Sequence, residues 1–220
     1  MATTKFLKTF LLTAVFALPG LLCADSAKKT EVKQIKIRFE TANRMPGDLN
    51  TNSKISTVKF TNGWLLIYID YSPRFSGKND WLDDVRLDCQ VAVPGVGRAQ
   101  DWVIFQGKTT FWTMYADGRG RTALMAIPPQ LLDRYLPAGK RLQTGALVAK
   151  VVFTAANGKP IGIDYICPNT ANVAAAAKYF DEIEKKLSTI KVTGGIFHRD
   201  MTPWKYEKMD QTDLVRFEQD

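Results

Sequence analysis

His198 is the only histidine in the chain, and this removes most of the usual nucleophilic and metal chemistry. A Ser-His-Asp triad needs an imidazole as its base. His198 sits beside Arg199 and Asp200 with no nucleophile motif near it, and it reads as a surface histidine. A zinc site needs about four Cys or His ligands, or three with an open position. Cys89, Cys167 and one histidine do not make one. Asp83, Asp84 and Asp88 form an acidic group, but their spacing fits no EF-hand loop. Gly95-Val96-Gly97 begins like a dinucleotide fingerprint, then lacks the third glycine and runs into Trp102-Val103-Ile104-Phe105 where a helix should start. Acid pairs suited to glycoside hydrolysis would meet only in the fold. The expectation is a protein with no catalytic residues, no cofactor and no metal.

Recognition chemistry is better represented. The chain holds five tryptophans. An exposed tryptophan stacks on sugars or anchors partners, whereas a buried one fills a core. Trp64, Trp102 and Trp112 lie in strand-like runs and are expected in the core. Trp81 and Trp204 lie in loop-like context. With Arg119, Arg121 and Tyr206 they are the candidate recognition residues.

The elements that must position these residues are mostly strands. In Lys33–Glu40, Ile35, Ile37 and Phe39 alternate with polar residues; in Val85–Val93, Val85, Leu87, Cys89, Val91 and Val93 share one face. Trp64–Ile69 is apolar on both faces and reads as a central strand, with a further short strand over 57–60 before it. Asn62-Gly63, Asp117-Gly118 and Asn157-Gly158 are hairpin signals. After the last of these, Ile161, Ile163, Tyr165 and Cys167 share a face, so both cysteines are expected to point inward. Pro128-Pro129 opens a short helix over 130–135. Val173, Ala176, Phe180, Ile183, Leu187 and Ile190 form one helical stripe, which Thr170 or Asn172 can cap and Gly194-Gly195 can stop. The predicted organisation is a leader over 1–24, a β-domain over 25–168, an amphipathic helix over 169–194 packed on it, and a tail over 195–220.

The leader sets the compartment. Lys5 and Lys8 precede an apolar run from Phe6 to Leu22, broken by Pro19-Gly20, with a small residue at Ala24. These are the parts of a secretory signal peptide. The run falls short of the roughly 20 residues that span a bilayer. Export to the periplasm, outer surface or medium is expected, with no membrane span after cleavage. The formal charge of +8 becomes +6 without Lys5 and Lys8, which favours acidic partners. Lys and Arg are spread evenly, with no basic stripe of the kind nucleic acid requires. In an oxidising compartment Cys89 and Cys167 are a candidate disulfide, with two buried free thiols as the alternative.

Many short strands followed by one helix predict a mainly β fold, an antiparallel β-sandwich with a C-terminal amphipathic helix and tail. Cys89 stands thirteen residues before Trp102, and Tyr165 two residues before Cys167. This pattern is similar to the bridged strands, packed tryptophan and tyrosine corner of immunoglobulin domains. The tight Asn157-Gly158 hairpin before the second cysteine departs from it. The whole layout resembles small exported immunoglobulin-like bacterial proteins associated with type IV pili, similar in fold to the heads of archaeal pilins. That resemblance implies a structural or protein-binding role at the envelope, with envelope or pilus proteins as partners. A glycan-binding module, using aromatics and positive charge on an acidic glycan, is the alternative expectation.

Overall fold

The computed structural model describes residues 30–43, 60–75, 81–95, 101–136, 139–206 and 214–216. The leader over 1–24, and residues 57–59 of the short strand expected before Trp64, lie outside them. The chain forms a β-sandwich. Sheet A holds β1 (Thr30–Ala42), β2 (Trp64–Phe75), β5 (Arg121–Ile127) and β9 (Phe197–His198), in the order β1-β2-β5-β9. Sheet B holds β3 (Trp81–Pro94), β4 (Trp102–Tyr115), β6 (Val148–Thr154), β7 (Pro160–Ile166) and β10 (Leu214–Arg216), in the order β10-β4-β3-β6-β7. β8 (Ile190–Thr193) runs parallel to the start of β4, pairing Val103–Gln106. The described α-helices are α1 (Pro129–Tyr135) and α2 (Val173–Lys185).

In immunoglobulin terms β1, β2 and β5 stand at the A, B and E positions, and β3, β6 and β7 at C, F and G, with β4 added beside C. The alternation of β3 is borne out. Val85, Leu87, Cys89, Val91 and Val93 are all buried between the sheets against Ile37, Ile67, Ile69 and Met125. Tyr71 of β2 meets Phe153 of β6 with ring centroids 4.9 Å apart, and both rings pack on Phe111 of β4. This aromatic cluster joins the B and F positions across the core, where antibody domains place a disulfide.

The cysteine bridge is a correction. Cys89 and Cys167 are both buried and both free. Cys89 lies on the C-position strand and faces the inter-sheet core, while Cys167 follows β7 and sits in a separate cluster under α2. β6 separates β3 from β7. Two strand spacings come to about 9.6 Å, beyond the roughly 7 Å between Cα atoms that a disulfide spans. The expected face of β7 was also wrong beyond Ile161. A register shift between Phe153 and Thr154 lies opposite the start of β7, and Gly162 and Asp164 pair with core-facing Phe153 and Val151. Ile161 stays in the core, whereas Ile163 is exposed and Tyr165 packs outward on Phe180. One slipped residue reverses the side-chain alternation. Asn157-Gly158 is therefore the F–G hairpin, with Gly158 at φ +79°.

Asp117-Gly118 makes a turn but not a hairpin, because β4 and β5 lie in different sheets. The Gly118 N–H donates to the Pro73 carbonyl at 3.1 Å, so the turn is pinned to the end of β2. The helical stripe also ends early. Asn172 caps α2, its Oδ1 accepting from the Ala174 and Ala175 N–H groups, and the Thr189 hydroxyl donates to the Ile183 carbonyl past the C-terminus. Leu187 is fully exposed, and Ile190 belongs to β8.

After β8 the chain leaves sheet B for sheet A. Gly194, at φ +71°, starts the change of direction. The crossing passes over Gly107, where a Cβ would collide with the Ile196 carbonyl oxygen. It ends in β9, paired to β5 at Met125 and Ala126. The two short 3-10 turns Arg199–Met201 and Pro203–Tyr206 then carry Trp204 onto the outer face of sheet A. No helix among the described residues is long and apolar enough to cross a membrane.

Candidate recognition surface

Trp81 and Tyr115 face each other as a cross-strand pair where β3 begins and β4 ends. Their ring centroids are 4.7 Å apart, and Trp81 remains 60% exposed. Trp112, three residues before Tyr115, is 55% exposed, which corrects its expected place in the core. The cause is local. Phe111 and Met114 both face the core, three residues apart, and on the facing strand so do Leu82 and Val85. Simple alternation breaks on both strands, and Asp84 between them takes φ +52°. Trp112 follows inward Phe111, so it turns outward.

Trp102 is half-buried, but outside the sandwich core. It meets Tyr179 of α2 edge-on, with centroids 6.3 Å apart. The resemblance to the packed immunoglobulin tryptophan is therefore coincidental in this chain, since Cys89, Trp102 and Cys167 occupy other strands than that pattern requires. Trp64 is half-buried on the outer face of sheet A. Its partner Trp204, expected to be a recognition residue, is only 4% exposed and packs edge-on against Trp64 at 5.1 Å, over Leu66, Leu124 and Ala126. It is a packing residue of the C-terminal strap. The backbone of Tyr206 ends the same strap, and its side chain lies outside the described side chains.

The two candidate arginines divide. Arg119 keeps 73% of its side chain exposed, while Arg121 keeps 11%. Both reach the Asp117 carboxylate, at 3.6 Å and 3.5 Å. Burial acts to raise the Asp117 pKa. The Arg119 backbone N–H and the Arg121 guanidinium outweigh it and hold the carboxyl below its ordinary range. Arg121 is thus committed to the corner that turns β4 into β5, and Arg119 is the one left at the surface. Tyr115 stands two residues before Asp117, so the aromatic pair and Arg119 share one end of the sandwich.

His198 is buried, not at the surface as expected. Its Nδ1 accepts the Asp200 backbone N–H at 3.3 Å and lies 3.4 Å from the Asp200 carboxylate. Burial lowers its pKa; Asp200 opposes the shift and Arg199 adds to it. Burial also pushes the Cys89 thiol up to about 12, with Asp88 adding to the shift, which leaves it unreactive. No group of three His, Cys, Asp or Glu side chains able to hold a metal occurs among the described residues.

The sequence matches no family profile and no curated protein. The fold is similar to a crystal structure from Akkermansia muciniphila, with a TM-score of 0.59 and 13% sequence identity. The match covers 87% of this chain and 95% of that one. At that identity the likeness shows the β-sandwich fold and nothing finer.

Proposed function

We propose that the chain is an exported, non-catalytic envelope protein that docks another envelope protein through the end of sheet B bearing Trp81, Trp112 and Tyr115, in a type IV pilus-associated setting. The observation that carries this reading is that two tryptophans stand more than half exposed on one sheet end. Large aromatics are enriched at the centres of protein interfaces. The leader supports export, and the sandwich fold is compatible with the resemblance to pilus-associated proteins.

A photo-cross-linking amino acid at position 112, with a control at Lys178 on the solvent face of α2, tests the proposal in the native envelope. Capture of a pilus component from position 112 alone supports it. No capture at 112, or equal capture at both positions, overturns it. The Trp81–Tyr115 stack favours a second reading, because a sugar ring stacks well on such a pair. Glycan-array binding that Trp81→Ala abolishes would move the assignment to a glycan-binding module.

A further inference from the structure

The opposite end of the sandwich holds a cleft of about 510 Å³, within the size range of small-ligand sites. It opens where β1 ends, β2 begins and α1 packs beneath them. Its described lining combines Phe60 and Trp64 with the amides of Asn43 and Gln130 and the guanidinium of Arg141, and none of that lining is acidic. Phe60 is 39% exposed. Arg141 has no ion-pair partner among the described residues.

Asp133 of α1, next to the cleft, fills its carboxylate oxygens with N–H donors and makes no ion pair with Arg141 among the described residues. It accepts from the Thr61 N–H at 2.7 Å, the Asn62 N–H at 3.0 Å and the Asn62 side-chain amide at 2.8 Å. Asn62 in turn accepts the Leu142 N–H at 2.7 Å. This clamp fastens the chain before β2 to the segment after α1, and so places Arg141 relative to Phe60 and Trp64. The wall is held before any ligand arrives, which limits the entropy lost on binding.

We propose that this cleft binds an anionic saccharide unit. The guanidinium would hold its carboxylate or sulfate, the aromatic side chains would take the apolar face of the ring, and the amides of Asn43 and Gln130 would meet its hydroxyls. Anionic recognition agrees with the net charge, +8 for the full sequence and +6 without Lys5 and Lys8. The site stands apart from the docking end, because Leu65, next to Trp64, pairs with Ile127 of β5, whereas Trp81 and Tyr115 pair where β4 ends, on the side of Asp117 and Arg121.

The test is calorimetric titration of the purified protein with a uronate trisaccharide, a sulfated oligosaccharide and a neutral trisaccharide. One-to-one binding of at least one anionic probe, at least tenfold tighter than the neutral one, is expected. Arg141→Gln should weaken it about tenfold and Trp81→Ala should leave it unchanged. The uronate and sulfate arms identify which anion the site takes. Absence of binding, equal binding of the neutral sugar, or unchanged affinity in Arg141→Gln would overturn the proposal. Phe60→Ala, checked for folding by circular dichroism, must also weaken binding. Failure here leaves the docking proposal untouched, and loss of cross-linking at position 112 leaves this one untouched.

Discussion

The outer face of sheet B is two surfaces. Over one half, α2 lays Ala176, Phe180 and Ile183 on Ala92, Ile104 and Val148, and all six are almost completely buried. Over the other half, Trp81 and Trp112 stand more than half exposed. Residue type alone would assign these the other way round, since alanine lies beneath the helix and tryptophan lies more than half exposed. Placement explains the division, because α2 packs chiefly against β6 and β7 and reaches β3 and β4 only around Ala92, Ile104 and Trp102. The 13 residues of α2 extend about 20 Å, while the 14 residues of β3 extend about 46 Å. Even a helix laid along such a strand would cover less than half of it. Small Ala92 leaves room for the helix where it does lie, and the far end carries aromatics that stay more than half exposed.

Phe180→Ala should give the largest effect. Phe180 is fully buried between helix and sheet, next to Tyr165. A cavity there should cost about 3–5 kcal/mol by urea denaturation. A loss below about 1 kcal/mol would show that the helix is not the true cover of that half. Gly107→Ala comes next. The new methyl would strike the Ile196 carbonyl, part of the crossing that carries β8 on to sheet A. Forcing that backbone aside should cost about 1–3 kcal/mol. It should also loosen the strap that holds Trp204, visible as increased fluorescence quenching at that residue. Asn172→Ala removes the two hydrogen bonds that cap α2 and should cost about 1 kcal/mol.

The same contrast shows what could be read from the sequence. The strands facing the core were legible where alternation ran unbroken, as in Val85–Val93. The α2 stripe was legible from Val173 to Ile183 because its spacing is local. What failed depended on irregularity or on distant partners. The shift between Phe153 and Thr154 reversed the face of Tyr165. The break around Asp84 sent Trp112 outward. Asp117-Gly118 supplied a turn whose flanking strands belong to different sheets, and a turn signal encodes a reversal without naming the partner strand. Trp204 looked like a loop residue because the surface that buries it, Leu66, Leu124 and Ala126, lies far away in the sequence. The Asp133–Asn62 clamp left no signal beyond an Asn-Gly pair, which reads more readily as a hairpin.

Sheet A offers a check that uses pH. Its cover, the strap bearing Trp204, starts at His198, whose buried ring has a lowered pKa. An unfolded histidine takes up a proton near pH 6.5, while the native one resists. The unfolded state therefore binds more protons as pH falls below about 6.5. Stability contributed by the neutral ring is present above that value and is lost progressively as pH drops towards the native pKa. The stability difference between pH 7 and pH 5.5 should be smaller in His198→Gln than in the wild type. An identical difference would mean that His198 does not sense pH from within the strap.

Trp112→Ala should have the smallest effect on stability and is the sharpest test of the exposed half. A side chain already 55% exposed loses little packing when cut away, so the change should stay within about 0.5 kcal/mol. The same substitution should nevertheless abolish capture of the envelope partner, because an interface anchor works through contacts made only in the complex. Stability and binding thus separate on this half, whereas on the covered half they cannot, since Phe180→Ala disturbs the fold itself. If Trp112→Ala proved as destabilising as Phe180→Ala, the exposed half would be a covered one, closed by a part of the chain outside the described residues.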